Sequence, residues 1–173
     1  MINRKFIFLF FLIILTSCFK TKFDYFITKE SKTNSIIFSE QNNRLLTENG
    51  FFELNMQYNI NKETFEVNFI YNDEDWILID TTKILMFLFS DSNYYTIDTK
   101  YKIKYSKDNG TLENEIFHAS GKFKISEMLL EKIINQNIYG LRLNGTYKYK
   151  EYKNGIRKMQ SRWRETIQKI QEK

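Results

Sequence analysis

The sequence predicts an α+β domain: a mainly antiparallel, twisted sheet with one internal helix and a C-terminal amphipathic helix covering one face. Three observations carry that prediction. Phe52 to Ile60 and Phe65 to Tyr71 each alternate apolar and polar residues with period two, and only the short polar stretch Asn61 to Glu63 separates them, as in a half-buried hairpin. Ile156, Met159, Trp163, Ile167 and Ile170 recur at intervals of three and four, one apolar stripe on an otherwise charged cylinder. Strands that follow one another through turns, with a helix inserted late, belong to the α+β class and not to a strict strand–helix alternation.

The chain opens with Asn3, Arg4 and Lys5, and then runs through Phe6 to Leu15 without a polar residue. Such a run is about half of the roughly 20 residues that a helix needs to cross a hydrocarbon core, and it matches the apolar region of a signal peptide. It closes with Leu15-Thr16-Ser17-Cys18, which resembles the lipobox of bacterial lipoproteins: an aliphatic residue, two small residues, then a cysteine. That resemblance implies cleavage between Ser17 and Cys18, a diacylglyceryl thioether on Cys18, and acylation of the new amine with a chain such as palmitate. The chemistry suits the order, since small residues let extended backbone enter a peptidase and a thiol is readily alkylated near neutral pH. An ordinary secretory signal or an uncleaved anchor are the other readings. The position of the only cysteine, directly after the apolar run, argues against both. Residues 1–17 are thus expected as a signal peptide, 18–35 as a lipidated tether and 36–173 as a single domain. Two or three acyl chains, at about 0.8 kcal/mol per buried methylene, hold a protein on a membrane where one does not.

Of 26 basic and 21 acidic residues, cleavage would remove Arg4 and Lys5. The remaining excess of cations is too small to argue for nucleic acid. With its one cysteine lipidated the domain has no thiol for a disulfide, so the core must hold the fold alone.

Within the domain, Phe23 to Ile27 and Ile36 to Phe38 read as short strands, and Thr28 to Ser35 as tether. Asn72 to Asp75 is a polar turn, expected to be solvated, and Trp76 to Ile79 and Ile84 to Phe89 are continuous apolar runs expected as buried strands. Tyr95 to Tyr105 alternates around Lys100, Lys102 and Lys104, and Asn109-Gly110 suits a two-residue hairpin turn. That turn sets Lys104 opposite Glu115, Ile103 opposite Ile116 and His118 opposite Tyr101, with a return strand from Leu112 to Ala119 continuing to Ile125. Ser126-Glu127 is a helix N-cap with an acid behind it, and Met128, Leu129, Leu130, Ile133 and Ile134 form the helix face. Tyr139, Leu141 and Leu143 begin a further strand that Gly145 is expected to bulge and Tyr147 and Tyr149 to continue. The segment Phe123 to Ile170, a strand, a Ser-capped helix, a strand with an Arg and a Gly, then a terminal helix, resembles small secreted bacterial proteins of unknown function. That likeness implies no activity.

Nothing in the sequence assembles a catalytic frame. His118 is the only histidine and lies in a strand, where a hydrogen-bonded sheet residue is expected. One histidine and no free thiol leave too few ligands for structural zinc, and Asp73-Glu74-Asp75 lacks the spacing of a calcium loop. No enzyme, cofactor or metal is therefore expected. Charge placement is more telling. Residues 36–99 hold eleven acidic and three basic residues, and 139–173 hold ten basic and three acidic. The two regions either neutralise each other across the sheet or leave a basic surface of Lys148, Lys150, Tyr152, Arg157, Lys158, Arg162 and Arg164 facing an acidic partner or anionic headgroups. Tyr152 is expected to be exposed, whereas the other tyrosines of the strands are expected mainly as a core face. The expectation is a lipid-anchored protein outside the cytoplasm, at the cell membrane or outer membrane, that binds another envelope protein. The alternatives are a carrier holding an apolar ligand between sheet and helix, and an envelope inhibitor or immunity lipoprotein.

Overall fold

The computed structural model describes residues 25–29, 36–40, 43–89, 93–98, 102–108 and 115–172, so the signal segment, Cys18, Tyr101 and the Asn109-Gly110 turn lie outside the described residues. The chain is α+β. Its strands are β1 (Tyr25–Lys29), β2 (Ile36–Glu40), β3 (Arg44–Leu46), β4 (Gly50–Asn59), β5 (Thr64–Asp73), β6 (Leu85–Phe89), β7 (Tyr94–Ile97), β8 (Lys104–Asp108), β9 (Ile116–Lys124), β10 (Ile138–Asn144) and β11 (Tyr149–Tyr152). Helix α1 (Glu127–Asn135) precedes β10 and helix α2 (Ile156–Gln171) follows β11. The strands form two antiparallel sheets. A seven-stranded sheet runs β1-β2-β4-β5-β9-β8, with β3 also on β4, and a four-stranded sheet runs β11-β10-β6-β7.

The β4–β5 hairpin is the centre of the large sheet, in the register that its alternation predicts: Phe52 pairs with Tyr71, Leu54 with Phe69 and Met56 with Val67. Those six side chains are fully buried on the inner face. The polar face is not simply wet, as expected from the pattern, because Glu53, Gln57, Asn59 and Glu66 are buried on it. Gln57 and Glu66 are cross-strand partners, and Glu53 is held from β3. Gln57 Nε2 donates to Glu66 (2.9 Å), Asn68 Nδ2 to Gln57 (2.8 Å), and Arg44 Nε to Glu53 (2.6 Å). The tether expectation also changes. Thr28 and Lys29 are the end of β1, which pairs with β2 along its whole length, so only residues 19–24 separate Cys18 from the sheet.

Three other expectations are corrected. Lys104 pairs with Ser120 and not Glu115, and His118 stands between Ser106 and Asn72, because the β8–β9 connection is longer than a two-residue turn. Glu115 instead forms a 2.5 Å ion pair with Lys107. Trp76 to Ile79 is not a strand. It is extended chain with Ile77 and Ile79 buried and Trp76 and Leu78 exposed, held by a bridge from Ile79 to Gly145. Gly145 is needed for that close approach and not for a bulge, since a Cβ there would lie 2.6 Å from the Ile77 side chain and 2.9 Å from two carbonyl oxygens. The irregularity in β10 falls between Ile138 and Gly140, and leaves Tyr139 exposed.

Both helices close the core. Ser126 Oγ accepts from Leu129 N at 3.2 Å, so α1 starts where its sequence signal says. Leu129 and Ile133 are buried, whereas Met128 and Ile134 point outward. Helix α2 buries Ile156, Met159, Trp163 and Ile167, and the Trp163 ring meets Phe87 of the small sheet with centroids 6.0 Å apart. The end of α1 has orphan carbonyls, and α2 supplies their donors: Gln160 Nε2 reaches Ile133 O at 2.9 Å and Arg164 Nε reaches the same oxygen at 2.8 Å. Trp163→Ala should therefore cost about 3–5 kcal/mol by emptying the largest fully buried side chain. Denaturant unfolding beside the wild type measures it. A loss below 1 kcal/mol would mean that α2 is not part of the folding core.

Candidate binding surface

The seven residues expected to form one basic surface fall into three environments. Tyr152 is buried at the end of β11, its ring stacked on Phe52 at 5.1 Å, so it is a core residue and not an exposed one. The reason is that alternate residues of β11 face the large sheet, where Phe52 of β4 and Asp73 of β5 receive them. Lys150, two residues earlier, follows it inward. Its Nζ lies 2.5 Å from Asp73 Oδ2 and 3.4 Å from Asp75 Oδ2, and Lys148 Nζ lies 3.6 Å from Asp75 Oδ1. These pairs join the acidic part of the chain to the basic part, as expected if the two regions neutralise each other. Asp73 is consequently not in a solvated turn. Its side chain is 2% exposed and also accepts from Thr47 Oγ1 at 2.7 Å and Asp75 N at 3.0 Å.

Burial works against the Asp73 carboxylate, but Lys150, the Asp75 amide and the Thr47 hydroxyl together hold its pKa below the usual carboxylate range. The phenols beside it behave in the opposite sense. Burial, then the charges of Asp73 and Asp75, push Tyr71 up, and Tyr71 donates to Asp75 O. Burial likewise pushes Tyr152 up, and its hydroxyl has no hydrogen-bond partner. The lowered Asp73 carboxyl and the two raised phenols are therefore moved away from proton exchange near neutral pH. The cluster is a joint between sheets.

Arg164 is also committed, since it caps α1. Thr166 Oγ1 donates to the backbone of Arg162, whose side chain is half-buried. Arg157 and Lys158 are left at the exposed start of α2. There the structure adds residues that the sequence reading passed over. A cavity of about 440 Å³ opens between the start of β10 and the β11–α2 connection, bordered by Asn137, Tyr139, Lys153, Asn154, Arg157 and Lys158. Gly155, at φ +80°, turns the chain into α2 without a side-chain cap, and the first turn carries no acid. The sequence did hold a signal for this: Gly155-Ile156-Arg157-Lys158 opens the helix with two cations, the reverse of the usual acidic preference there.

The tyrosines expected in the core are largely outside it. Tyr147 is 92% exposed, Tyr149 59% and Tyr105 43%. The guanidinium of Arg142 lies 4.2 Å from the Tyr149 ring and is held by Glu151 at 2.5 Å. Trp76, also exposed, packs on Phe117 at 6.0 Å. Among the described residues no group of three metal-ligating side chains converges, and no helix is long and apolar enough to cross a membrane. Comparison with family models, curated proteins and solved structures gives no match for the chain.

Asp73→Asn should lower stability by about 2–3 kcal/mol, somewhat less than removing one partner of a fully buried pair, because Lys150 keeps some solvent and Asp75. Since the Asp73 pKa is lowered on folding, its contribution is full above the ordinary carboxylate pKa of about 3.9 and fades as pH falls through the lower folded value. Thermal melting between pH 2 and 7 should show the wild-type advantage over Asp73→Asn shrinking only below about pH 4. A constant advantage down to pH 2 would remove the pair from the joint.

Proposed function

We propose that the protein is a lipid-anchored bacterial lipoprotein whose domain stands outside the cytoplasm and acts as a non-catalytic protein-binding module of the cell envelope. The observation that carries this reading is the apolar run Phe6 to Leu15 ending in Leu15-Thr16-Ser17-Cys18, with no other cysteine in the chain. The domain adds support for binding over catalysis. Its titratable cluster at Asp73 is closed and paired, while Trp76, Tyr105, Tyr147 and Tyr149 are presented to solvent with Lys148 among them. Tyrosine, tryptophan and arginine are the side chains that protein interfaces enrich. The carrier alternative requires a chamber lined by Phe, Leu and Met, and none of those residue types borders the cavity at the start of α2.

The test is intact mass and detergent partitioning of the native protein beside a Cys18→Ser variant. Lipid mass on the native chain, cleavage before residue 18, and loss of both in the variant are the expected results. A native chain of unmodified mass that stays in the aqueous phase would end the anchor reading. Binding is tested separately by crosslinking in the envelope: Tyr147→Ala with Tyr149→Ala should abolish any specific adduct without changing the melting temperature.

A further inference from the structure

We propose that the cavity at the start of α2 is a binding site for a phosphate ester, held by Arg157, Lys158 and Lys153. The inference goes beyond the anchor reading and stands whether or not Cys18 carries lipid. Its first support is charge. Three cations border one cavity and no carboxylate does. Arg157 and Lys158 make no side-chain hydrogen bond or ion pair with the described residues, and Lys153 reaches its nearest carboxylate, Glu151, only at 4.0 Å, where Arg142 already holds that group at 2.5 Å. Elsewhere in the domain the basic residues of this region are spent on partners: Lys148 and Lys150 on Asp75 and Asp73, Arg164 on the end of α1. In the cavity, Arg157 and Lys158 are without a carboxylate, and Lys153 shares Glu151 with Arg142.

The second support is size and shape. The cavity, about 440 Å³, lies within the range of small-molecule sites and is far larger than an isolated phosphate needs. The anion would occupy the cationic side, and the remaining volume would take an organic group against the exposed ring of Tyr139, with the Asn137 and Asn154 amides for its hydroxyls. A phosphate monoester matches the charge better than a carboxylate, since it carries close to two negative charges at neutral pH and offers the paired oxygens that a guanidinium binds in parallel. Cations in the first turn of α2 also oppose the helix dipole, an unfavourable placement that a bound dianion would reverse.

The chemistry is shared by a soluble phosphate ester and a phosphate headgroup in a bilayer, and the experiment separates them. The purified full chain is titrated calorimetrically with glycerol 1-phosphate, and its flotation is measured with vesicles of phosphatidic acid in phosphatidylcholine and of phosphatidylcholine alone. The same is done for Arg157→Ala/Lys158→Ala and for Lys62→Ala, an exposed cation in the β4–β5 turn. The expected result is binding of glycerol 1-phosphate, or a preference for phosphatidic acid vesicles, that falls at least tenfold in the double variant and is unchanged in Lys62→Ala. Response to the soluble ester identifies a soluble ligand, and response to the vesicles without it identifies a headgroup. The double variant should also melt at a slightly higher temperature, because it removes cations from the positive end of α2, so a loss of binding would not be a loss of folding. The proposal is overturned if neither probe binds, or if the double variant binds both as the wild type does.

Discussion

One ammonium group held between two carboxylates sets the relation of the two sheets. Asp73 ends β5 in the large sheet, Lys150 lies in β11 of the small one, and their contact is nearly closed to solvent. An unpaired carboxylate at that depth would cost several kcal/mol, so β11 has essentially one place to lie. Once Lys150 is placed, Tyr152 two residues on falls against Phe52, and the chain then has only Lys153 to Gly155 in which to turn into α2. The start of α2, its cavity and the burial of Trp163 all follow from where that ion pair holds β11.

Local pattern revealed those elements whose environment is local. The β4–β5 register, the Ser126 cap and the α2 stripe need only period, a short turn and one hydroxyl, and each is found where the pattern puts it. What escaped depends on distant chain. The Asn109-Gly110 turn suggested a register five positions away from that of β8 and β9 as counted on the β9 partner of Lys104, since strand pairing over Ser106 and His118 outweighs a favourable turn dipeptide. Tyr152 and Tyr147 are the same residue type in the same alternating stretch, yet one is buried and the other is almost fully exposed. Five residues apart, they stand on opposite faces of the alternation, and which face is buried is decided by the packing of β11 against Phe52 and Asp73. Of the candidate site, Arg157 and Lys158 were legible as cations. Lys153, Tyr139 and the amides were not, because β10 and the β11–α2 connection meet only in the folded chain.

The distribution of satisfied and unsatisfied polar groups has a direction. The polar face of the large sheet binds its own side chains to one another, and the end of α1 is sealed by Gln160 and Arg164. The start of α2 receives no such treatment: no side-chain cap, no acid and two cations of the wrong sign for the dipole. One helix end is thus closed by side chains of its neighbour, and the other is left open with cations that a bound anion would offset.

The strand that begins at Tyr25 has a consequence for height above the membrane. With Cys18 in the bilayer, residues 19–24 are the whole leash, and a fully extended chain spans at most about 3.3–3.6 Å per residue. On the proposed anchor, that reach would keep the β1 edge of the large sheet near the headgroups however the domain swings. A domain held in that way would patrol a thin layer over the lipid and meet embedded or surface-bound neighbours far more often than anything free in solution.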